Sequence, residues 1–311
     1  MYFAVVFGIR HSNKNKNNFL LMLNRRMKIA GYSDPFYNKE YKKDGRLPPD
    51  FVVYGNPKKA KAVFVSSFDT CSKILLPNYL YYPLNEEKNS RIERLNAIVE
   101  LVLVALCAGA CVLLLLIIGI DFSFKSIATF YSIAPVLVSG FIIFKITQGL
   151  PNPTNYNRNS AALIVMYSIA LELSKKSQAA FVFCNKSCSS PEGFMRFSLK
   201  CSEEIKRKIV LLNCIGSGSQ LVLAYKEGGH DRAESILRCN NGLEIDNSAM
   251  VEKEKENSIF TAFPESLVFF CADKINEEYA VLNTRTNKDR ELNTDRLIQI
   301  KSLLLRWCSN L

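Results

Sequence analysis

Histidine is scarce in this chain: His11 and His230 are the only two among 311 residues. His230 lies in Gly228-Gly229-His230-Asp231, which reads as a turn between a strand and a helix, so a surface loop histidine is the plain interpretation. The alternative pairs it with Cys188 as a thiol nucleophile. None of the ten cysteines falls in a CxxC pair, and no secretory signal segment precedes them, which argues for free thiols in a reduced compartment. The apolar run from Tyr2 to Ile9 is too short for a secretory h-region with its flanks and reads as a first strand. There is no internal repeat, which excludes solenoids and propellers. Gly216-Ser217-Gly218-Ser219 lacks the lysine and following helix of a phosphate loop and reads as a turn between two strands.

The chain is also short of acid. Forty Lys and Arg stand against 29 Asp and Glu, a net charge of +11. The basic residues are dispersed. The densest group, Lys58, Lys59 and Lys61, follows a turn at Gly55-Asn56-Pro57 and has no interleaved aromatics for stacking on a strand, so it reads as a solvated face and nucleic acid is not an expected partner. Attraction to anionic membrane lipid, at roughly 1 kcal/mol per basic residue near the surface, is the simpler account of the charge.

What the chain has in excess is apolar sequence, and most of it lies between Arg94 and Lys145. Leu101 to Ile120 is twenty residues without a charge, and Ser126 to Phe144 is nineteen; each matches the ~20 residues that span hydrocarbon. Only Asp121, Phe122, Ser123, Phe124 and Lys125 separate them. Two transmembrane helices in a hairpin over 94–145 are therefore expected, with Pro135 permitting a kink in the second and Glu100 near the interface. The outer flanks carry Lys88, Arg91, Arg94, Lys145 and Arg158, so the rest of the chain is expected on the cytoplasmic side. The competing reading, a buried hairpin in a large soluble core, fits such uncharged runs poorly.

Residues 1–93 and 146–311 then form one discontinuous α/β domain, because short apolar runs alternate there with amphipathic stretches. Helices are expected over Asn18–Ala30, stopped by Gly31, over Ser160–Leu173, capped by Ser160, and over Thr294–Trp307, with Leu297, Ile298, Ile300 and Leu304 inward. In the first of these the apolar positions are Phe19, Leu20, Leu23, Met27 and Ile29. Strands are expected at Phe51–Tyr54, Ala62–Ser66, Ala180–Cys184, Lys208–Leu212, Leu221–Ala224 and Val268–Cys271. The Glu- and Lys-rich segment 250–257 reads as a solvated loop or surface helix.

Five segments in order carry a resemblance. Lys61 to Thr70, a strand running into Ser67-Phe68-Asp69, looks like the first site motif, His-x-Asp, of the di-zinc aminopeptidases, metallopeptidase family M twenty-eight. Asn152 to Ala162 resembles the segment holding that family's bridging aspartate, which falls on Asn157. Phe181 to Cys184 leads to the paired glutamates, here Ser187 and Cys188. Val210 to Cys214 resembles the strand ending in a further aspartate ligand, here Asn213, and Asn283-Thr284 resembles the late His-Thr motif. The likeness implies a zinc-exopeptidase-like fold, a central mixed sheet flanked by helices. Membrane-bound bacterial members of the family carry a similar hairpin between the first two motifs.

The substitutions bear on the chemistry. Hydrolysis on two zinc ions needs imidazole and carboxylate ligands, a bridging anion and a general base. Ser67 and Asn283 cannot replace imidazole, Asn157 and Asn213 are neutral, Ser187 lacks the basicity of glutamate, and Cys188 offers only an isolated thiolate. Asp69 is retained, but the resemblance gives it only the role of orienting a histidine, which leaves it without a client. No metal or other cofactor is expected, and the seven positions would line an empty vestigial pocket. Cys184, Cys188 and Cys214 raise a mononuclear metal site as an alternative. Three functional classes follow: first, a noncatalytic pseudopeptidase binding a peptide or protein partner at the membrane; second, a metallopeptidase or other hydrolase with displaced ligands; third, a structural subunit of a membrane assembly.

Overall fold

The computed structural model describes residues 2–37, 47–118, 127–247 and 258–311. Among these, ten strands follow in chain order: β1 (Phe36–Tyr37), β2 (Phe51–Tyr54), β3 (Ala62–Ser67), β4 (Leu80–Tyr81), β5 (Ala179–Cys184), β6 (Ile209–Leu212), β7 (Gln220–Tyr225), β8 (Ile245–Asp246), β9 (Leu267–Ile275) and β10 (Glu278–Leu282). They pair in the order β1-β2-β5-β3-β6-β9-β10-β4, with β7 joined to β9 and to β8. The centre, β5-β3-β6-β9, is parallel. Antiparallel pairs flank it: β2 with β5, β9 with β10, and β10 with β4.

The helices are α1 (Asn13–Ile29), α2 (Glu86–Ile118), α3 (Ile127–Thr147), α4 (Ala161–Glu172), α5 (Glu192–Ser198), α6 (Glu203–Lys206), α7 (His230–Arg238) and α8 (Thr294–Asn310). Strand alternation builds two cores. Phe64, Phe181, Val210 and Phe269 face one layer with residues of α1, α4, α7 and α8. Val63, Val65, Val182, Leu211 and Val268 face the other, with Phe194 and Phe197 of α5 and Ile205 of α6. All six residues of β3 and all six of β5 are buried, which is why β5 reads as an unbroken apolar run and β3 as one up to its two closing serines.

Several expectations are corrected. Tyr2–Val6 is a single wide helical turn and not a strand, because the buried guanidinium of Arg10 takes the carbonyls of Phe3 and Phe7 that a strand would offer to a neighbour. α1 begins five residues before the expected Asn18, where Ser12 Oγ accepts from Asn15 N–H at 3.2 Å, as an N-cap does. Ile29 and Ile298 are exposed, although Phe19, Leu23, Leu297 and Ile300 on the same helices are buried. Ser160 does not cap α4; its hydroxyl donates to Phe3 O and accepts from Arg10. The 121–125 connection and the 250–257 segment lie outside the described residues.

α2 has two halves. Near its start, Asn89 exchanges hydrogen bonds with the backbone of Tyr82, Asn96 Oδ1 accepts from Leu75 N–H at 2.9 Å, and Lys88 and Glu93 form ion pairs with Glu278 and Arg285. From Leu101 onward its large apolar side chains, Leu101, Leu106, Leu113 and Ile117 among them, are exposed. Among the described residues α2 is the one helix long and apolar enough to cross a membrane, by length and composition. α3 lies against α2 and exposes Leu137, Val138, Phe141 and Phe144.

Candidate functional site

Three parallel strands, β3, β5 and β6, end on one side of the sheet, and their C-terminal ends carry Ser67, the 185–188 loop and Asn213. In open α/β sheets ligands bind at such ends. The feature that organises this region is Arg158, whose side chain is buried, with the residue 4% exposed. Its Nη1 donates to Asn213 Oδ1 and Cys214 Sγ, both at 3.2 Å, and its Nη2 donates to the Cys188 carbonyl. The guanidinium lies 3.5 Å from the centre of the Tyr81 ring, within cation–π range. Asn213 Nδ2 in turn donates to the Tyr81 hydroxyl at 3.0 Å.

Arg158 was expected to be a membrane-flanking charge, and its burial overturns that. Local structure explains it. Residues Tyr156–Ser160 form a wide helical turn ahead of α4, and buried Asp289 receives the N–H groups of Asn157, at 2.7 Å, and Arg158, at 3.4 Å. That carboxylate holds the turn so that residue 158 points into the domain. Burial raises the Asp289 pKa to about 6, opposed by those two N–H groups and by the charge of Arg158.

Of the seven positions singled out in the sequence, Ser187, Cys188 and Asn213 border the Arg158 pocket, along with Glu86, Ser189 and Ser190. Ser67 sits behind it, accepting from Asn159 Nδ2 at 2.6 Å. Asp69 is buried, and its Oδ1 accepts from Ser187 N–H at 3.1 Å. It therefore has a client after all, the backbone of the site loop. Burial pushes the Asp69 carboxyl up, opposed by the Lys16 charge and by the N–H groups of Ser187 and Cys188. Asn157 turns away: its Oδ1 accepts from Gly216 N–H at 2.7 Å and Ser217 N–H at 3.0 Å. Asn283 is separate, exposed after β10 beside a cleft shared with Ser217 and Asp289.

Two expectations about cysteine fail. Cys188 is joined to Cys71 by a disulfide across 117 residues, Cα to Cα 5.4 Å, so it is not a free thiol, and spacing alone could not have disclosed a pairing made by the fold. Nor do Cys184, Cys188 and Cys214 converge as ligands: among the described residues no three His, Cys, Asp or Glu side chains are grouped to hold a metal ion. His230 makes its contacts elsewhere, with Glu234 at 3.2 Å and the Tyr225 ring. The Arg158 side chain lines this pocket, in which about 20 Å³ is free, room for about one water. The sequence reading missed Arg158, Asn159, Tyr81 and Asp289. The available signal was that Arg158 is the lone charge in the polar run 152–160.

No protein-family model matches the chain, and no curated protein matches its sequence. Solved structures do match. The Legionella pneumophila LapA aminopeptidase aligns with a TM-score of 0.50 at 8% identity, over 96% of this chain and 67% of that one. The fold is aminopeptidase-like. BSAP, a zinc aminopeptidase from Bacillus subtilis, aligns with a TM-score of 0.45 at 12% identity over 86% of this chain. The Macrostomum lignano glutaminyl cyclase gives 0.47 and 12%, over 95% of this chain and 82% of that one. The chain spans about half the length of the BSAP chain, 51%. At these identities the likeness is one of fold. In this aminopeptidase-like frame a buried guanidinium, held by neutral partners, stands at the C-terminal ends of the central strands.

Proposed function

We propose that this chain is a membrane-anchored, noncatalytic pseudopeptidase of the M twenty-eight type that binds a peptide or protein partner. The observation that carries the reading is Arg158. The residues present do not fit a pair of zinc ions. A guanidinium fills the space beside Asn213 and Cys188, Cys188 is consumed in a disulfide, and the Asn157 side chain is committed to the 216–217 turn. A fixed cation there repels a metal dication. The matched ligand positions hold neither imidazole nor carboxylate, and the one retained carboxylate, Asp69, is committed to the Ser187 N–H, so these positions supply no group to ligate metal or to take a proton from water.

The test is the metal content of the detergent-purified chain by elemental mass spectrometry, before and after dialysis against zinc, with aminopeptidase substrates assayed in parallel. Less than about a tenth of an equivalent of metal and no turnover are expected. Stoichiometric zinc with chelator-sensitive cleavage would sink the reading in favour of a hydrolase with displaced ligands.

We further propose that α2 and α3 form a transmembrane hairpin interrupting the soluble domain, 1–93 and 146–311, and that the lipid bilayer covers their exposed apolar faces. Arg91, Arg94 and Lys145 support a cytoplasmic side for that domain by the positive-inside rule. A reporter fused after Leu311 is expected to score cytoplasmic. An exterior score would reverse the orientation and would suit the Cys71–Cys188 disulfide, since such bonds persist in oxidising compartments.

A further inference from the structure

In sequence the densest basic group is Lys58, Lys59 and Lys61, and the fold enlarges it. β5, β3 and β6 run parallel and side by side, with Ala62 opposite Ala179 and Val63 opposite Ile209. The segments leading into these strands therefore meet at the N-terminal end of the sheet, about 10 Å across at the usual strand spacing. Lys61 N–H donates to the Gln178 carbonyl at 3.0 Å, and Lys208 Nζ donates to the Lys58 carbonyl at 2.9 Å. Of the acids at this end, Glu203 pairs with Lys206, Glu204 with Lys208, Glu265 with Arg207 and Glu172 with Lys301. Lys58, Lys59, Lys61 and Lys175 are exposed and form no ion pair among the described residues. Like charges gathered this closely repel one another, so an anion laid across them is favoured.

Which anion fits depends on where this end lies. The hairpin leaves the domain at the other end: His11 Nε2 is 3.2 Å from the Gln148 carbonyl oxygen just past α3, and Lys73 N–H donates to the Leu150 carbonyl at 2.6 Å. α1 starts next to His11 and runs from Asn13 to Ile29; just beyond it the Tyr32 hydroxyl donates to the Lys176 carbonyl at 3.4 Å. Its 17 residues cover about 25 Å, roughly three Debye lengths at physiological salt. The membrane that holds the hairpin is therefore out of reach of these lysines. Nucleic acid fits poorly as well. None of the segments 56–61, 174–178 and 203–208 contains an aromatic residue on which a base could stack. Glu203 and Glu204, with side chains 74% and 68% exposed, would meet only further negative charge on a phosphate chain. A protein can set a basic residue against those glutamates and acids against the lysines.

We infer that the N-terminal end of the sheet is a docking surface for an acidic segment of a partner protein, held by Lys58, Lys59, Lys61 and Lys175 at the end of the domain away from the hairpin. The exclusion of lipid rests on the hairpin reading above; the basic face does not.

The experiment uses the full-length chain in nanodiscs of zwitterionic lipid and follows the fluorescence anisotropy of a short labelled peptide of alternating Glu and Gly. The parent chain is expected to bind it. Lys58→Gln, Lys59→Gln and Lys61→Gln together are expected to weaken binding about tenfold. Lys14→Gln, Lys274→Gln and Lys288→Gln remove the same charge away from this end and are expected to weaken it less than about twofold. All six side chains are exposed, so neither triple disturbs the core. No binding by the parent chain, or equal weakening by the two triples, would overturn the proposal.

Two further arms separate the other anions. A short RNA duplex is expected to respond alike to both triples; a loss confined to the Lys58, Lys59, Lys61 triple and larger than the peptide's would assign the face to nucleic acid instead. In nanodiscs containing phosphatidylserine the peptide affinity is expected to hold within about twofold. A tenfold drop there would place the lysines against the headgroups and overturn the inference. Should the chain fail to enter nanodiscs, the hairpin reading falls, and the same two triples compared in detergent still decide the docking surface.

Discussion

Replacing Arg158 by alanine is expected to lower the stability of the α/β fold by about 3–4 kcal/mol. Three losses add. The Cys188 carbonyl and Asn213 Oδ1 lose their charged donor, the Tyr81 ring loses its cation, worth ~2 kcal/mol when desolvated, and a side chain that now fills its pocket leaves a void. One gain opposes them, because a charge buried without a carboxylate no longer has to be desolvated. The losses win in Arg158→Ala because the cavity is added to the broken bonds. In Arg158→Met most of the volume is restored while the charge is gone, so about half the loss is expected to return. The thermal transition in detergent, followed through the fluorescence of Trp307, reads both. Trp307 is the single tryptophan, is buried, and donates to Ser235 Oγ at 2.8 Å. An Arg158→Ala shift worth less than about 1 kcal/mol would show that this side chain is a bystander.

The framework was readable in the sequence because its signals are local. β3, β5 and β6 are buried on both faces, so each is a short, largely apolar run, and their bounds match expectation to within a residue. The exposed apolar half of α2 announced itself by length alone. The site was only half readable, because its decisive contacts join distant segments. Ser187 reaches Asp69 across 118 residues, and Arg158 reaches Asn213 across 55. Nothing adjacent to Arg158 distinguishes a buried guanidinium from a flanking charge. Asp289, which aims the turn carrying it, lies 131 residues away in sequence from Arg158. The first segment failed for a related reason. An apolar octet has the same composition as a strand or as a buried turn, and the choice fell to Arg10, which takes its carbonyls while also bonding the Phe68 carbonyl across 58 residues.

The residue that most sharply limits the site loop is a glycine that the sequence reading passed over. Gly193→Ala is expected to cost about 3 kcal/mol or more and to loosen the loop carrying Ser187 and Cys188. A Cβ at Gly193 would collide with the Asn185 carbonyl oxygen and Ser187 Oγ and lie 2.9 Å from the Asn185 carbonyl carbon. Two of these three atoms belong to backbone, so the start of α5 or the loop itself must move. Any such movement pulls Ser187 N–H from Asp69 and shifts the Cys188 carbonyl that Arg158 holds. Gly216→Ala is expected to cost less, about 1–2 kcal/mol, because the nearest atom there is the Leu292 side-chain tip at 2.6 Å, which can rotate, while Ala161 Cβ at 3.0 Å and the Asn157 backbone at 3.1 Å must give by only a few tenths of an ångström. The readouts are the thermal transition and the rate at which a dithiol reduces the Cys71–Cys188 bond. Gly193→Ala should lower the first and raise the second. A Gly193→Ala protein with the parental transition and parental reduction rate would mean that α5 and the loop separate freely, and that the packing around Arg158 does not depend on their contact.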